Sequence, residues 1–187
     1  MDTEINDLFE LTGSSMSSSI DHLKKELMKI STGKANPNMV SGLMVSYYGT
    51  DTPMNQVANI SIADSRTLTI QPWEKSMIQP IEKAIFEANL GVTPQNDGEL
   101  VRLSIPPLTE DRRKQLVKQA QSQGEDAKVS IRNARRDLMS EIKDAVKGGY
   151  PEDAGKRKED EAEKLTKSYI NKVDELIKSK ESDILTI

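Results

Sequence analysis

The sequence predicts an α+β chain: an antiparallel three-helix bundle carrying an inserted small β/α/β domain. Two observations lead there. Seven of the eight prolines, at 37, 53, 72, 80, 94, 106 and 107, fall in the middle of the chain, and the eighth, Pro151, lies between two helical patterns. Proline inside a helix removes a hydrogen bond and clashes with the preceding turn, so the ends read as helical and the middle does not. The second observation is periodicity: apolar residues recur every three to four positions at the ends and every second position in the middle. Only 35% of the 187 residues are hydrophobic and 30% are charged. That lean content suits long helices, each of which buries a single stripe.

The first helix is carried by Ile5, Leu8, Thr12, Met16, Ile20, Leu23, Leu27 and Ile30. A glycine-serine run, Gly13-Ser14-Ser15-Met16-Ser17-Ser18-Ser19, interrupts its composition. Such runs are often linkers, but Met16 and Ile20 keep the stripe in phase, which favours a helix held by packing. In the middle, Leu43, Val45 and Tyr47 share one strand face and Ala58, Ile60 and Ile62 another; Leu68 and Ile70, then Val101, Leu103 and Ile105, repeat the period. Tyr47-Tyr48-Gly49-Thr50 leads into a turn expected to end near Pro53, and Met77, Ile78, Ile81, Ala84, Ile85 and Ala88 describe one short helix. The second long helix, 109–147, buries Leu116, Ala120, Ala127, Ile131, Ala134, Leu138 and Ile142. Thr109 is its expected N-cap, with Glu110 and Asp111 where the helix dipole favours acids. Gly148-Gly149 ends it. The third helix starts after Pro151-Glu152-Asp153, with proline expected inside the first turn, and carries Ala162, Leu165, Tyr169, Val173, Leu176 and Ile184. The expected domains are therefore 1–30 with 107–187, the bundle, and 31–106, the insert. The chain crosses between them twice, through Lys34, Asn36 and Pro37 and through Ile105, Pro106 and Pro107.

Composition excludes several chemistries. Cysteine is absent and His22 is the only histidine, which removes disulfides, thiolate catalysis and cysteine- or histidine-rich metal sites. Ser31-Thr32-Gly33-Lys34-Ala35 resembles the end of a phosphate-binding loop, but Met28 stands where the first glycine belongs and Ala35 replaces the magnesium-binding hydroxyl. No catalytic residue, metal or cofactor is expected. Glu159-Asp160-Glu161 and Glu163 lie amid lysines and read as solvated helix. No apolar stretch approaches membrane-spanning length, and no leader pattern opens the chain. A soluble cytoplasmic monomer is the expectation.

Charge is more informative. The net value is −4, yet residues 112–136 hold Arg112, Arg113, Lys114, Lys118, Lys128, Arg132, Arg135 and Arg136 against Glu125 and Asp126. At about 100° per residue, Lys114, Lys118, Lys128, Arg132, Arg135 and Arg136 share one flank of the helix, while Asp126, Asp137, Glu141 and Asp144 fall on the far side. A solvated face mixes signs to gain i,i+4 pairs, so segregation points to an anionic partner. Arginine's planar fork suits phosphate. No aromatic lies in the segment to stack single strands, which favours folded RNA.

Several short segments, in this order and spacing, resemble one family. They are Ser31-Thr32-Gly33-Lys34-Ala35-Asn36-Pro37, Tyr47-Tyr48-Gly49-Thr50 with Thr52-Pro53, Asp64-Ser65-Arg66-Thr67-Leu68, Pro107-Leu108-Thr109-Glu110-Asp111-Arg112-Arg113, Arg132-Asn133-Ala134-Arg135-Arg136-Asp137, and Lys164-Leu165-Thr166. The chain is thereby similar, over nearly its whole length, to the bacterial ribosome recycling factors. The resemblance implies an L-shaped two-domain protein with a two-stranded hinge, a bundle lying on large-subunit ribosomal RNA, and action with elongation factor G and GTP to split the post-termination ribosome and release mRNA and tRNA. It also implies that Arg132 and Arg135, with Arg113 and Lys128 in support, touch that RNA; with Arg136 and Arg112 these are the candidate RNA-binding residues. Lys34 stands where the family usually has arginine, Asp111 where it has glutamate and Ala134 where it has a branched residue. The alternative from another class is a helical scaffold that binds a protein through its charged rods.

Overall fold

A computed structural model describes residues 1–187. The chain divides into two compact units, Met1–Ile30 with Lys114–Ile187 and Ser31–Arg113. The second boundary thus lies at 113/114 rather than at the expected 106/107, because the connecting residues and the first turn of the long helix pack with the smaller unit.

The larger unit is built from α1 (Asp2–Met28), the greater part of α4 (Glu110–Lys147) and α5 (Glu152–Leu185). At 38 residues α4 is about 57 Å long. The serine run is helical throughout. Met16 and Ile20 are buried, and Ser19 Oγ bonds the Ser15 carbonyl at 3.2 Å, so a hydroxyl that would compete with the helix is satisfied inside it. Ile5, Leu23, Leu27 and Ile30 complete that stripe, and Leu116, Ile131, Leu138 and Ile142 of α4 and Ala162, Val173 and Ile184 of α5 are buried as well. Burying each large side chain contributes about 1.5–3 kcal/mol. Small residues let the rods approach. A Cβ on Gly124 would stand 2.6 Å from Ile177 Cγ1, and one on Gly155 would stand 2.5 Å from Val146 Cγ2.

Helix ends follow the expected chemistry with one correction. Thr109 Oγ1 accepts the Arg112 backbone N–H at 3.1 Å, the N-cap bond that starts α4. Gly149, at φ +109°, ends α4. Pro151 sits at the cap of α5, in extended geometry (φ −58°, ψ 133°), and not inside its first turn. Tyr150, buried at this corner, donates its hydroxyl to Asp2 Oδ1 at 2.8 Å, tying the corner to the start of α1.

The smaller unit contains α2 (Asn38–Ser41), strands β1 (Met44–Tyr47), β2 (Thr50–Pro53), β3 (Ala58–Asp64) and β4 (Thr67–Pro72), helix α3 (Ile78–Ala88), and strands β5 (Pro94–Asn96) and β6 (Val101–Ser104). All pairings are antiparallel. β1 and β2 form a hairpin, and the other strands form a sheet in the order β3-β4-β6-β5. Helix α3 lays Ile81, Ala84 and Ile85 on Val45, Leu68, Ile70, Val101 and Leu103. The turn expected to run to Pro53 is only two residues long. Tyr48 (φ +49°) and Gly49 (φ +82°) make it, Tyr47 pairs with Thr50, and Thr50–Pro53 is strand. Two consecutive left-handed residues match the twist of paired strands.

Candidate nucleic-acid interface

The two flanks of α4 open on two grooves of opposite character. Between α4 and α5 lies a groove of about 410 Å³ lined by Arg132, Arg135, Glu163, Lys164, Thr166, Lys167 and Ile170. Four cations and one carboxylate therefore meet there. Between α1 and α4 lies a second groove of about 590 Å³, where Ser15, Ser18, Ser19 and His22 face Gln123, Asp126, Ser130, Asn133 and Asp137. The segregation read along the helix is thus carried into space: phosphate chemistry fits the first groove and not the second.

Helical spacing positions the cations. Arg132 and Arg135 stand one turn apart on α4, as do Lys164 and Lys167 on α5. Ile131 and Ala162, close to them in sequence on α4 and α5, are fully buried in the bundle. Thr166, buried in the seam, donates its hydroxyl to the Ala162 carbonyl at 2.8 Å. Arg135 is two-thirds buried, with its Nε turned inward without a partner and its Nη1 donating to Glu163 Oε1 at 2.8 Å.

The other candidates are distributed differently. Arg136 is exposed on α4. Lys128 is largely buried and already occupied: its Nζ lies 2.6 Å from Asp174 and 3.6 Å from Glu125. The hydrogen bond that its ammonium donates to the Asp174 carboxylate holds it above the usual lysine range, against the opposing effect of burial. Its charge is neutralised within the bundle. Arg112 and Arg113 stand in the first turn of α4 and belong to the smaller unit; Arg113 Nε is buried without a partner.

Sequence reasoning missed the α5 side of the groove. Lys164 and Lys167 lie in a segment of mixed charge that reads as solvated helix, and Glu163, assigned to that solvated face, instead bonds Arg135 across 28 residues. The available signal was the three-residue spacing of Lys164 and Lys167, which repeats that of Arg132 and Arg135. No three His, Asp or Glu side chains converge as a metal would need, and no helix is long and apolar enough to cross a membrane.

The expected connection residues all lie in the smaller unit, and each connection makes one backbone bond to the turn between β3 and β4. Ala35 N–H donates to the Ser65 carbonyl and Ile105 N–H to the Arg66 carbonyl, both at 2.8 Å. Asp64 Oδ1 accepts the Arg66 N–H at 2.9 Å and closes the turn; that bond, first among several, holds the Asp64 carboxyl below the usual range. Gly33, at φ +73°, comes so near Leu108 that a Cβ would stand 3.0 Å from its Cγ. Asn36 Oδ1 accepts the Asn38 N–H at 3.0 Å, and Pro37 precedes α2.

Fold and groove together define a helical-bundle α+β protein with a phosphate-compatible seam. Comparison with known proteins sharpens this. The sequence profile described as ribosome recycling factor matches residues 23–185. The ribosome-recycling factor of Flavobacterium johnsoniae is 50% identical over 187 residues, covering all of both chains. A solution structure of the ribosome recycling factor superposes with a TM-score of 0.86 at 33% identity, covering 98% of each chain. The Thermus thermophilus factor, described with Escherichia coli elongation factor G bound to the post-termination complex, gives 0.68 at 40% identity, covering 97% of this chain and 99% of that one. The chain belongs to the ribosome recycling factor family.

Proposed function

We propose that this chain is a translation factor that binds the post-termination ribosome and, with elongation factor G and GTP, promotes subunit splitting and release of mRNA and tRNA. It works in the cytoplasm, as a monomer, and catalyses no reaction itself. The observation that carries the reading is the family match over residues 23–185, joined by a relative described on that complex with that partner.

Within this reading the α4/α5 groove is the RNA-contact surface. Arg132 and Arg135 bear on phosphate from one side and Lys164 and Lys167 from the other, while Arg136, Arg112 and Arg113 contribute charge elsewhere along α4. Lys128, held by two carboxylates, supports the seam more than the ligand. The mechanism is mechanical. The bundle grips RNA, the GTPase pushes on the smaller unit, and the two connections at Lys34, Asn36 and Pro37 and at Ile105, Pro106 and Pro107 bend under the load.

Co-sedimentation with vacant ribosomes and isolated subunits tests the reading. Removing one cation that neutralises a phosphate should reduce the slope of log affinity against log salt by roughly 0.7–0.9. Arg132→Ala and Arg135→Ala should each weaken binding and flatten that slope while helix content is kept, since alanine suits a helix. Asp137→Glu, in the opposite groove, should change neither. If both arginine variants bind as the parent does, the RNA surface is elsewhere and the protein-scaffold reading gains. Purified protein with GTP or ATP and magnesium should release no phosphate; turnover that follows the protein through repurification would refute the non-catalytic part.

A further inference from the structure

The cationic groove contains an anion of its own. Glu163, half exposed, offers Oε1 to Arg135 Nη1 at 2.8 Å, and the charged groups lining the groove around this pair are Arg132, Lys164 and Lys167. A carboxylate where four cations converge occupies the place an RNA phosphate would take. We propose that Glu163 is a built-in competitor: it stands in for phosphate on Arg135 in the free protein, and RNA must displace it to gain the full groove. This rests on reading the groove as the RNA surface.

Three features of the structure support it. The first is the geometry of the guanidinium. Arg135 Nε points inward and is buried, so the edge available to a ligand is the Nη pair, and Glu163 already holds one of those nitrogens. A phosphate on the same edge would lie a few ångströms from the carboxylate, and like charges that close repel. Glu163 must therefore swing away or weaken what binds beside it.

The second is the strength of the pair. Its partners are 33% and 51% exposed, and ion pairs of that exposure are worth only a few-fold in an equilibrium. Phosphate binding, with counterion release behind it, outweighs this. The pair lowers affinity without blocking the groove.

The third is the contrast with Lys128, one helical turn before Arg132 on the same seam. Its side chain is 17% exposed and lies between Asp174 at 2.6 Å and Glu125 at 3.6 Å. The seam thus carries a closed ion pair and an openable one, and the openable one sits among the groove cations. A factor that must leave its ribosome each round gains from an internal anion that retakes Arg135 as RNA departs.

The test is Glu163→Gln, which keeps size and helix and removes the charge, measured by binding to vacant ribosomes across a salt series. The variant should bind about three- to five-fold tighter at low salt with the slope of log affinity against log salt close to the parent's, because Arg135 reaches phosphate in both complexes and only the cost of displacing Glu163 is removed. In an Arg135→Ala background the same substitution should give no gain. A gain of equal size in that background would mean a general loss of negative charge and would overturn the competitor role. Unchanged affinity in Glu163→Gln, with Arg132→Ala still weakening binding, would overturn the competitor and leave the RNA surface standing. If Arg132→Ala and Glu163→Gln both bind as the parent does, the RNA surface fails and the competitor with it.

Discussion

At the scale of single residues, Glu74 shows how one carboxylate fixes a turn. Tyr48 adopts φ +49°, a conformation that costs a non-glycine residue about 1–2 kcal/mol. Its hydroxyl donates to Glu74 Oε2 at 2.7 Å and that of Tyr47 to Oε1 at 2.9 Å, so both carboxylate oxygens hold the hairpin at its tip. The hydroxyls of Tyr48 and then Tyr47 keep the Glu74 carboxyl below the usual glutamate range. A depressed folded-state pKa contributes stability that is present above the unfolded value, about 4.3, and lost as pH falls through the folded one. The hairpin should thus be anchored at neutral pH and released only in acid. Followed by NMR, Glu74 should titrate below the ordinary glutamate value of about 4.3, and Tyr48→Phe should move it back up. Titration of Glu74 at or above that ordinary value would contradict the clamp. None of this was legible beforehand: Glu74 lies 26 and 27 residues from its two partners, and in sequence it is one acid among many.

Elements divide by whether their signal is local. The three long helices were legible because a stripe sustained over many turns outweighs weak composition, as Met16 and Ile20 outweigh the serine run. The period-two strands at Val45, Ala58, Leu68 and Val101 were legible for the same reason. β2 and β5 were not: Thr50–Pro53 and Pro94–Asn96 are short, polar and contain proline, and they are strands because a neighbour supplies the ladder. The α4 side of the cationic groove was readable from arginine segregation, whereas its α5 side depends on which rod packs against which. Two glycines test the helix argument from opposite directions. Gly13 in α1 has nothing within 4 Å of a built Cβ, so Gly13→Ala should stabilise by about 0.5–1 kcal/mol through propensity alone. Gly124→Ala gains the same propensity but drives a methyl to 2.6 Å from Ile177 Cγ1 and 2.9 Å from its Cδ1. Overpacking costs about 1–3 kcal/mol, so the net effect should be a lower melting temperature. Thermal unfolding of both variants decides this; a Gly124→Ala protein that melts above the parent would show the seam to be loose.

For the whole molecule, the consequence of insertion is that the chain passes between the two units twice. Ala35 and Ile105 bond adjacent carbonyls of one turn, Ser65 and Arg66, and Gly33 packs on Leu108. The connections are therefore paired at their root in the smaller unit. Pro106 and Pro107 fix φ in one of the pair and remove its softest torsions. If the factor works by transmitting a push, binding and splitting must separate when bending is stopped. The chain has no cysteine, so a single cysteine placed in each unit gives one defined disulfide and no competing pair. In the oxidised, locked form, ribosome binding should stay within a few-fold of the parent, because the α4/α5 groove belongs entirely to the bundle. Subunit splitting with elongation factor G and GTP should fall to background and return on reduction. A verified crosslinked protein that splits ribosomes at the parent rate would show that bending at the two connections contributes nothing to recycling.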